Sequence, residues 1–590
     1  MSAVNVEHVT FGVLMAANLG LGLYFAFSRR ARKASTADEV FLGSRSMGTL
    51  PLAVSVLASM ISAIGVIGFG AHYYAHGFHY AWSLVSAPLL VPVVTLVVIP
   101  VLYKLRVTSV FEYLRLRYGN KVGLGACAIY LFLSQTIGAV ALFSASVAAA
   151  TVFHLPIQWT TLGIGVAGTV YTALGGLRGV VWTDCVQAFL ILMAPVTVIG
   201  KIIYDSRRTD VLLRPLSDIN MKEYAFRMNL DFTNDENFWA CFLGLLVHNL
   251  LRTGIDQSVV QRYMASRTIK EAQRTMCIGV FLNIIYMIVI GVMAMALIYW
   301  FRDCDPLLTG EIKKYDEILP YYVKQHLFSF PCFSGLFLTG VVSAATSTIS
   351  SIINSQAAVC YMDVVSMFVK LEDHTASHFT KGLAFLFGIL MTIYSMIVPY
   401  LGSAVRVVVV MHNGASGPFV GMFLLAFLFP WANSKGVVAG TLLTTALQFW
   451  QMFGKIYYGI RAPMMPVSTD YCPANSTMTI DAMRTSSYSA AHSNADVFPL
   501  YRFSSNWGVL ASAGLTILIG LVVSLLTGGR EVNEKHTQLT SDIFVSLWRK
   551  LGLLPRYEKA KIAEILPIDD DDSTSDTKTT LTLLGNESFV

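Results

Sequence analysis

Charge is what this sequence has least of. Only 13% of its 590 residues are charged, while 55% are hydrophobic; an ordinary soluble domain carries about 25% charged residues. Water cannot be the main solvent of such a chain. A basic face is also missing. The net charge of +6 comes from Lys and Arg scattered between apolar runs, not from a stripe interleaved with aromatics, which excludes a nucleic-acid-binding class. Cysteine is sparse, with eight residues spread along the chain and most of them inside apolar runs. That spread excludes both a disulfide scaffold and a zinc motif. Cys304, Cys332 and Cys472 fall in or beside segments expected outside the membrane, and the sequence leaves open which pair, if any, bridges.

The histidines lack acidic company. His72, His76 and His79 include an i, i+4 pair on one helix face, the geometry a metal would use. Gly77 interrupts that helix, however, and no Glu-containing metalloprotease motif accompanies it. Anchoring at the membrane edge is the preferred reading, and neither a transition metal nor an enzymatic activity is expected.

What the chain has in quantity is apolar length. A bilayer core about 30 Å thick needs roughly 20 apolar residues per helical crossing, and lipid forces those runs to be helical because every backbone polar group must be satisfied internally. The runs 9–27, 50–73, 81–103, 122–150, 157–174, 181–204, 238–257, 275–301, 333–363, 380–400, 405–430, 436–456 and 506–527 predict an all-α integral membrane protein of about thirteen transmembrane helices. The first is read as a retained span, since it is long and is followed by Arg29, Arg30, Arg32 and Lys33.

Short links carrying Lys and Arg face the cytoplasm. They alternate with links such as 75–80 and 151–156 that carry neither, which places the N-terminus outside and the C-terminus inside. Asn475-Ser476-Thr477 then lies in an outside segment as a glycosylation acceptor, whereas Asn586 lies inside and is expected to be silent. The organisation read from this is a first span with a basic link (1–49), a transporter core (50–430), two further spans with a glycosylatable loop (431–527) and a polar, largely disordered cytoplasmic tail (528–590). Within the tail, 543–554 has the pattern of a short helix lying on the membrane. The terminal Ser588-Phe589-Val590 matches the short C-terminal pattern that PDZ domains take up as an added strand.

Two spans depart from plain apolar filler. The run 333–363 carries hydroxyls at Ser343, Thr346, Ser347, Thr348, Ser350 and Ser351, followed by Asn354. Close helix packing explains such a run, and so does a site where hydroxyls and freed carbonyls replace the water around a sodium ion. Span 50–73 reads Leu57-Ala58-Ser59-Met60-Ile61-Ser62-Ala63-Ile64-Gly65, then Gly68 and Gly70, small residues that weaken a helix midway.

These segments resemble the sodium/solute symporters. The resemblance runs from about Val9 to Gly528. It is carried by Leu57-Ala58-Ser59 with Ser62-Ala63, by Gly175-Gly176-Leu177-Arg178-Gly179-Val180-Val181-Trp182-Thr183-Asp184 with Gln187, by Thr253-Gly254-Ile255-Asp256-Gln257 leading to Gln261-Arg262-Tyr263, and by Ser351-Ile352-Ile353-Asn354-Ser355. It implies a leucine-transporter-like 5+5 inverted-repeat core and Na+ as coupling ion, with no other cofactor. The sodium site it implies uses the carbonyls of Ala58, Ile61 and Ala344 and the hydroxyls of Ser347 and Thr348, with Asp184 on the sodium exit path. Asp256 and Arg262 are expected to anchor span seven through caps or ion pairs.

For the solute, the resemblance points to the branch that carries monocarboxylates, biotin and pantothenate, or iodide. Sugar-carrying relatives hold an Asn and a His where this chain has Met60 and Gly65. Arg406, an intramembrane Arg, is a candidate partner for a carboxylate, although snorkelling to the headgroups explains it as well. Gln135, His412 and Asn413 are candidate polar lining. A sugar, inositol or choline carrier and a transport-inactive sensor or scaffold stand as alternatives.

Overall fold

A computed structural model describes residues 3–27, 41–207, 213–369, 371–401, 404–458, 460, 462–472, 497–529, 532 and 534–555. Asn475, Asn586, the acid run 569–572 and Ser588-Phe589-Val590 lie outside the described residues. The described chain is helical throughout, apart from turns and one isolated bridge between Met47 and Ser266. By contact density it divides into two units, Met1–Ile543 and Phe544–Val590. The second unit contains most of the amphipathic helix Asp542–Lys550, on which Ile543 and Leu547 are exposed.

Among the described residues, eight helices are long and apolar enough to cross a membrane, or nine when the bent pair Thr49–Met60 and Ala63–His76 is taken as one span. One of the eight, Ile157–Asp205, is two helices joined at Gly176, whose φ of 56° is open to glycine and strained for other residues. The apolar segment Ala240–Ile255 and the helices Ala404–Leu428 and Ser434–Tyr457 supply the other expected runs. The hydroxyl-rich helix Phe333–Val359 is the buried axis. Its residues from Phe337 to Val359 are all inside the protein, which suits its small side chains. Close approach at this axis is literal, because a Cβ on Gly340 would stand 2.5 Å from the Leu190 carbonyl.

On the side of the core opposite Thr49, the segment 462–472 is tied down by backbone bonds from Met465 to Ala75, from Ser468 to Arg302 and from Tyr471 to Asp303. These bonds bring Cys472 to Cys304, and the two form a disulfide; Cys332 stays free. The pair that the sequence left open is thereby chosen by the backbone around it. Disulfides typically contribute about 2–4 kcal/mol of stability. Cys304→Ser with Cys472→Ser is therefore expected to lower the melting temperature of the detergent-solubilised protein, and Cys332→Ser to leave it unchanged.

The rings of His72 and His76 stay in contact, centroids 5.0 Å apart, but the three histidines take different polar partners, and His72 finds an acid from a distant segment that the sequence did not reveal. His72 pairs with Glu236 at 3.2 Å, His76 bonds the Pro463 carbonyl at 2.9 Å, and His79 accepts from the Arg227 amide at 3.3 Å.

Candidate functional site

The span beginning at Thr49 breaks in its middle. Helix Thr49–Met60 ends on Ile61 in an extended conformation, and a second helix, Ala63–His76, starts behind Ser62 at an angle of 56°. Ser62 caps the new start by accepting from the Gly65 amide at 3.3 Å. The break falls between Ile61 and Ser62, ahead of the glycines. Gly70 instead serves close packing, since a Cβ there would lie 2.9 Å from the Met293 methyl.

A helix end leaves its last four carbonyls without intrahelical donors. Here Leu57 still receives the Ile61 amide, so the orphans are Ala58, Ser59, Met60 and Ile61. Two of them are met by the hydroxyl helix: Ser347 Oγ donates to the Ala58 carbonyl at 2.9 Å and Thr348 Oγ1 to the Ile61 carbonyl at 3.1 Å. The same hydroxyls lie 3.1 and 2.9 Å from the Ala344 carbonyl. Five oxygens, three carbonyl and two hydroxyl, thus converge from two helices in a region closed to solvent. All are neutral hard donors, the chemistry that suits a sodium ion. Each hydroxyl keeps lone pairs that an arriving cation would use once its proton turned elsewhere.

One turn towards Thr49 lies a buried charge network. Arg262 and Asp184 are both fully buried and paired at 2.9 Å. Arg262 also donates to Ser55 Oγ at 2.6 Å, to Ser351 Oγ at 2.7 Å and to the Ser258 carbonyl. Ser55 in turn donates to Asp184 at 2.5 Å, and the Ser59 and Ser351 hydroxyls meet at 2.9 Å. Helices Thr49–Met60, Ile157–Asp205, Gln257–Met264 and Phe333–Val359 are therefore locked together beside the five oxygens.

The proposed lining residues scatter more. Gln135 donates to the Phe387 carbonyl at 3.1 Å. His412 packs edge-on against His248, ring centroids 5.4 Å apart. The Asn413 carbonyl accepts from Ser416 Oγ at 3.3 Å. Arg406 belongs to helix Ala404–Leu428, but its side chain lies outside the described residues.

A residue that the sequence reading passed over is Arg252. Its guanidinium pairs with Asp256 at 2.5 Å and reaches the carbonyls of Ser59 and Met60 at 3.3 and 3.4 Å. An Arg inside an apolar run is a functional candidate by default, and that signal was present in the run 238–257.

The family model for the Sodium:solute symporter family matches residues 40–444, more than half the chain. The chain belongs to that family. It is 29% identical over 531 residues to the bovine (Bos taurus) sodium-coupled monocarboxylate transporter 2, with 88% of this chain and 84% of the relative covered. It is 30% identical over 584 residues to the rabbit (Oryctolagus cuniculus) sodium-dependent multivitamin transporter, covering 96% and 90%. A solved structure of a substrate-bound, outward-open Na+-coupled sialic acid symporter shares the fold at a TM-score of 0.71 and 20% identity, covering 88% of this chain and 98% of that one. The symporter is thus a multi-pass membrane transporter of a small molecule, with Na+ as the coupling ion.

Proposed function

We propose that the symporter imports a small organic anion, a monocarboxylate or a vitamin carboxylate such as biotin or pantothenate, at the expense of the sodium gradient across the plasma membrane. The observation that carries this reading is the convergence of Ala58, Ile61, Ala344, Ser347 and Thr348 at a broken helix. This is the neutral oxygen cage expected of a sodium site. The solute class follows the names of the relatives, two of which are a monocarboxylate and a multivitamin transporter.

Alternating access needs the five-oxygen site to open to one side at a time. The Asp184–Arg262 lock serves as the cytoplasmic gate, and the exit path for sodium passes Asp184. The proposed orientation puts the N-terminus and Asn475 outside and the tail, with its PDZ-type terminus, inside. No enzymatic step is assigned. Each net positive charge carried inward across 100 mV supplies about 2.3 kcal/mol, roughly a fiftyfold accumulation. With a monovalent anion, a second sodium is required for net inward charge.

Voltage clamp with parallel tracer uptake in expressing cells tests the reading. Lactate, butyrate, pantothenate, biotin, iodide and glucose are applied in turn, with and without sodium. Sodium-dependent accumulation restricted to the anions is the expected result. Uptake of glucose alone would overturn the solute class and leave the coupling intact, whereas uptake of an anion without sodium would overturn the coupling.

A further inference from the structure

The four carbonyls orphaned at Ile61 divide evenly. Ala58 and Ile61 turn to the sodium cage, while Ser59 and Met60 turn to Arg252 Nη2. Those last two contacts, 3.3 and 3.4 Å, are long for an N–H donor, so the guanidinium is held near the break with donors under-used. The opposite face of Arg252 is fixed. Its partner Asp256 caps helix Gln257–Met264, and its Oδ1 accepts from the Ser258 amide at 2.9 Å, Ser258 Oγ at 2.8 Å and Tyr130 OH at 3.3 Å. Oδ1 of that carboxylate serves the cap while Oδ2 holds Arg252 Nη1 at 2.5 Å, and the Arg252 side chain remains 19% exposed in the middle of the fold.

Three further features share this spot. The first turn of helix Ala63–His76 starts across the break, presenting the positive end of a helix 14 residues long. His248, four residues before Arg252, meets His412 edge-to-face, and the helix that carries His412 packs against the segment Leu251–Ile255 that carries Arg252. The Nδ1 of His412 is buried and has no hydrogen-bond partner among the described residues. A guanidinium whose Nη2 makes only long contacts, a helix start and an unpartnered imidazole nitrogen are the parts of a seat for a planar anion. Carboxylate fits it best, because Arg binds carboxylates through two parallel N–H bonds at about 2.7–2.9 Å, shorter than the contacts they would replace.

We propose that Arg252, with His412 beside it, holds the carboxylate of the transported anion against the start of helix Ala63–His76, next to the sodium cage. The assignment rests on the anion-uptake reading above and adds the residues that select the charge. Because the same broken segment feeds both sites, filling one holds the carbonyls that frame the other, which gives a direct physical link between anion and sodium.

The test uses the full-length protein in expressing cells, with radiolabelled butyrate or whichever anion of the panel the wild type accumulates. Competition is measured for carboxylates and for their neutral amides, together with surface biotinylation and the sodium charge movement recorded without substrate. Arg252→Gln is expected to raise the half-saturating carboxylate concentration tenfold or more. Amide competition should stay within about twofold and Arg252→Lys should fall between, while substrate-free sodium charge movement is expected to shift as well, because Arg252 also braces the Ser59 and Met60 carbonyls beside the cage. Equal loss for carboxylate and amide, or unchanged carboxylate affinity, would overturn the assignment of Arg252 while leaving anion uptake standing. A wild type with no sodium-dependent carboxylate uptake would overturn both. If Arg252→Gln does not reach the surface, Arg252→Lys and His412→Gln are read by the same ratio of carboxylate to amide.

Discussion

Asp184→Ala is expected to strip most of the symporter from the cell surface, and adding Arg262→Met to restore it as a protein that leaks sodium. Arg262 is wholly buried, and Asp184 is the only anion paired with it among the described residues. Removing one member of a buried pair leaves an uncompensated charge, at a cost of about 3–5 kcal/mol. Whole domains are stable by only about 5–15 kcal/mol, so that loss is enough to send much of the protein to degradation. Replacing both members by apolar side chains is often neutral or better, and the double variant should therefore fold. What it lacks is the tie among four helices beside the sodium cage. Surface biotinylation and sodium current without substrate read the two effects separately. Wild-type surface levels for Asp184→Ala, or a double variant with no leak, would mean that the pair does not hold this end closed.

The architecture was legible because lipid imposes a simple rule on composition, and the apolar runs of the sequence recur as helices. The site was legible in part. Ser347 and Thr348 announced themselves as hydroxyls in an apolar span, and they do meet the broken helix. The carbonyls of Ala58, Ile61 and Ala344 carry no signal in residue type, since any backbone supplies them; only the resemblance pointed there. The break itself was expected from small residues and glycines, yet it falls at Ile61, where Ser62 offers a cap. Arg252 was passed over although the rule that singled out Arg406 applied equally to it. Its importance depends on contacts with Ser59 and Met60, nearly two hundred positions away in the chain, and on an irregular turn at Leu251–Ile255 that no periodicity encodes. The Asp184–Arg262 network was split in the same manner: Arg262 was expected to anchor its own span, and the structure joins it to Asp184, Ser55 and Ser351 from three others.

If the five oxygens hold sodium, then Ser347→Ala and Thr348→Ala should each raise the sodium concentration that half-saturates uptake, and the pair together should raise it more than tenfold. The size follows from a difference. A ligand bond to a charged group contributes about 1.5–3 kcal/mol, but in the sodium-free site each hydroxyl already donates to a carbonyl, worth about 1 kcal/mol. Deleting the hydroxyl weakens both states, and the net loss of sodium affinity is about 0.5–2 kcal/mol, or roughly two- to thirtyfold per residue. The two positions are adjacent and share the Ala344 carbonyl, so their effects need not add. Thr348→Ser keeps the oxygen and should stay within about twofold. Ile61→Val keeps the carbonyl and should do the same, provided the break is preserved. Sodium titration of tracer uptake at fixed substrate separates these cases. A double alanine variant with wild-type sodium dependence would remove the cage from the mechanism, and the hydroxyls of helix Phe333–Val359 would then be accounted for by packing alone.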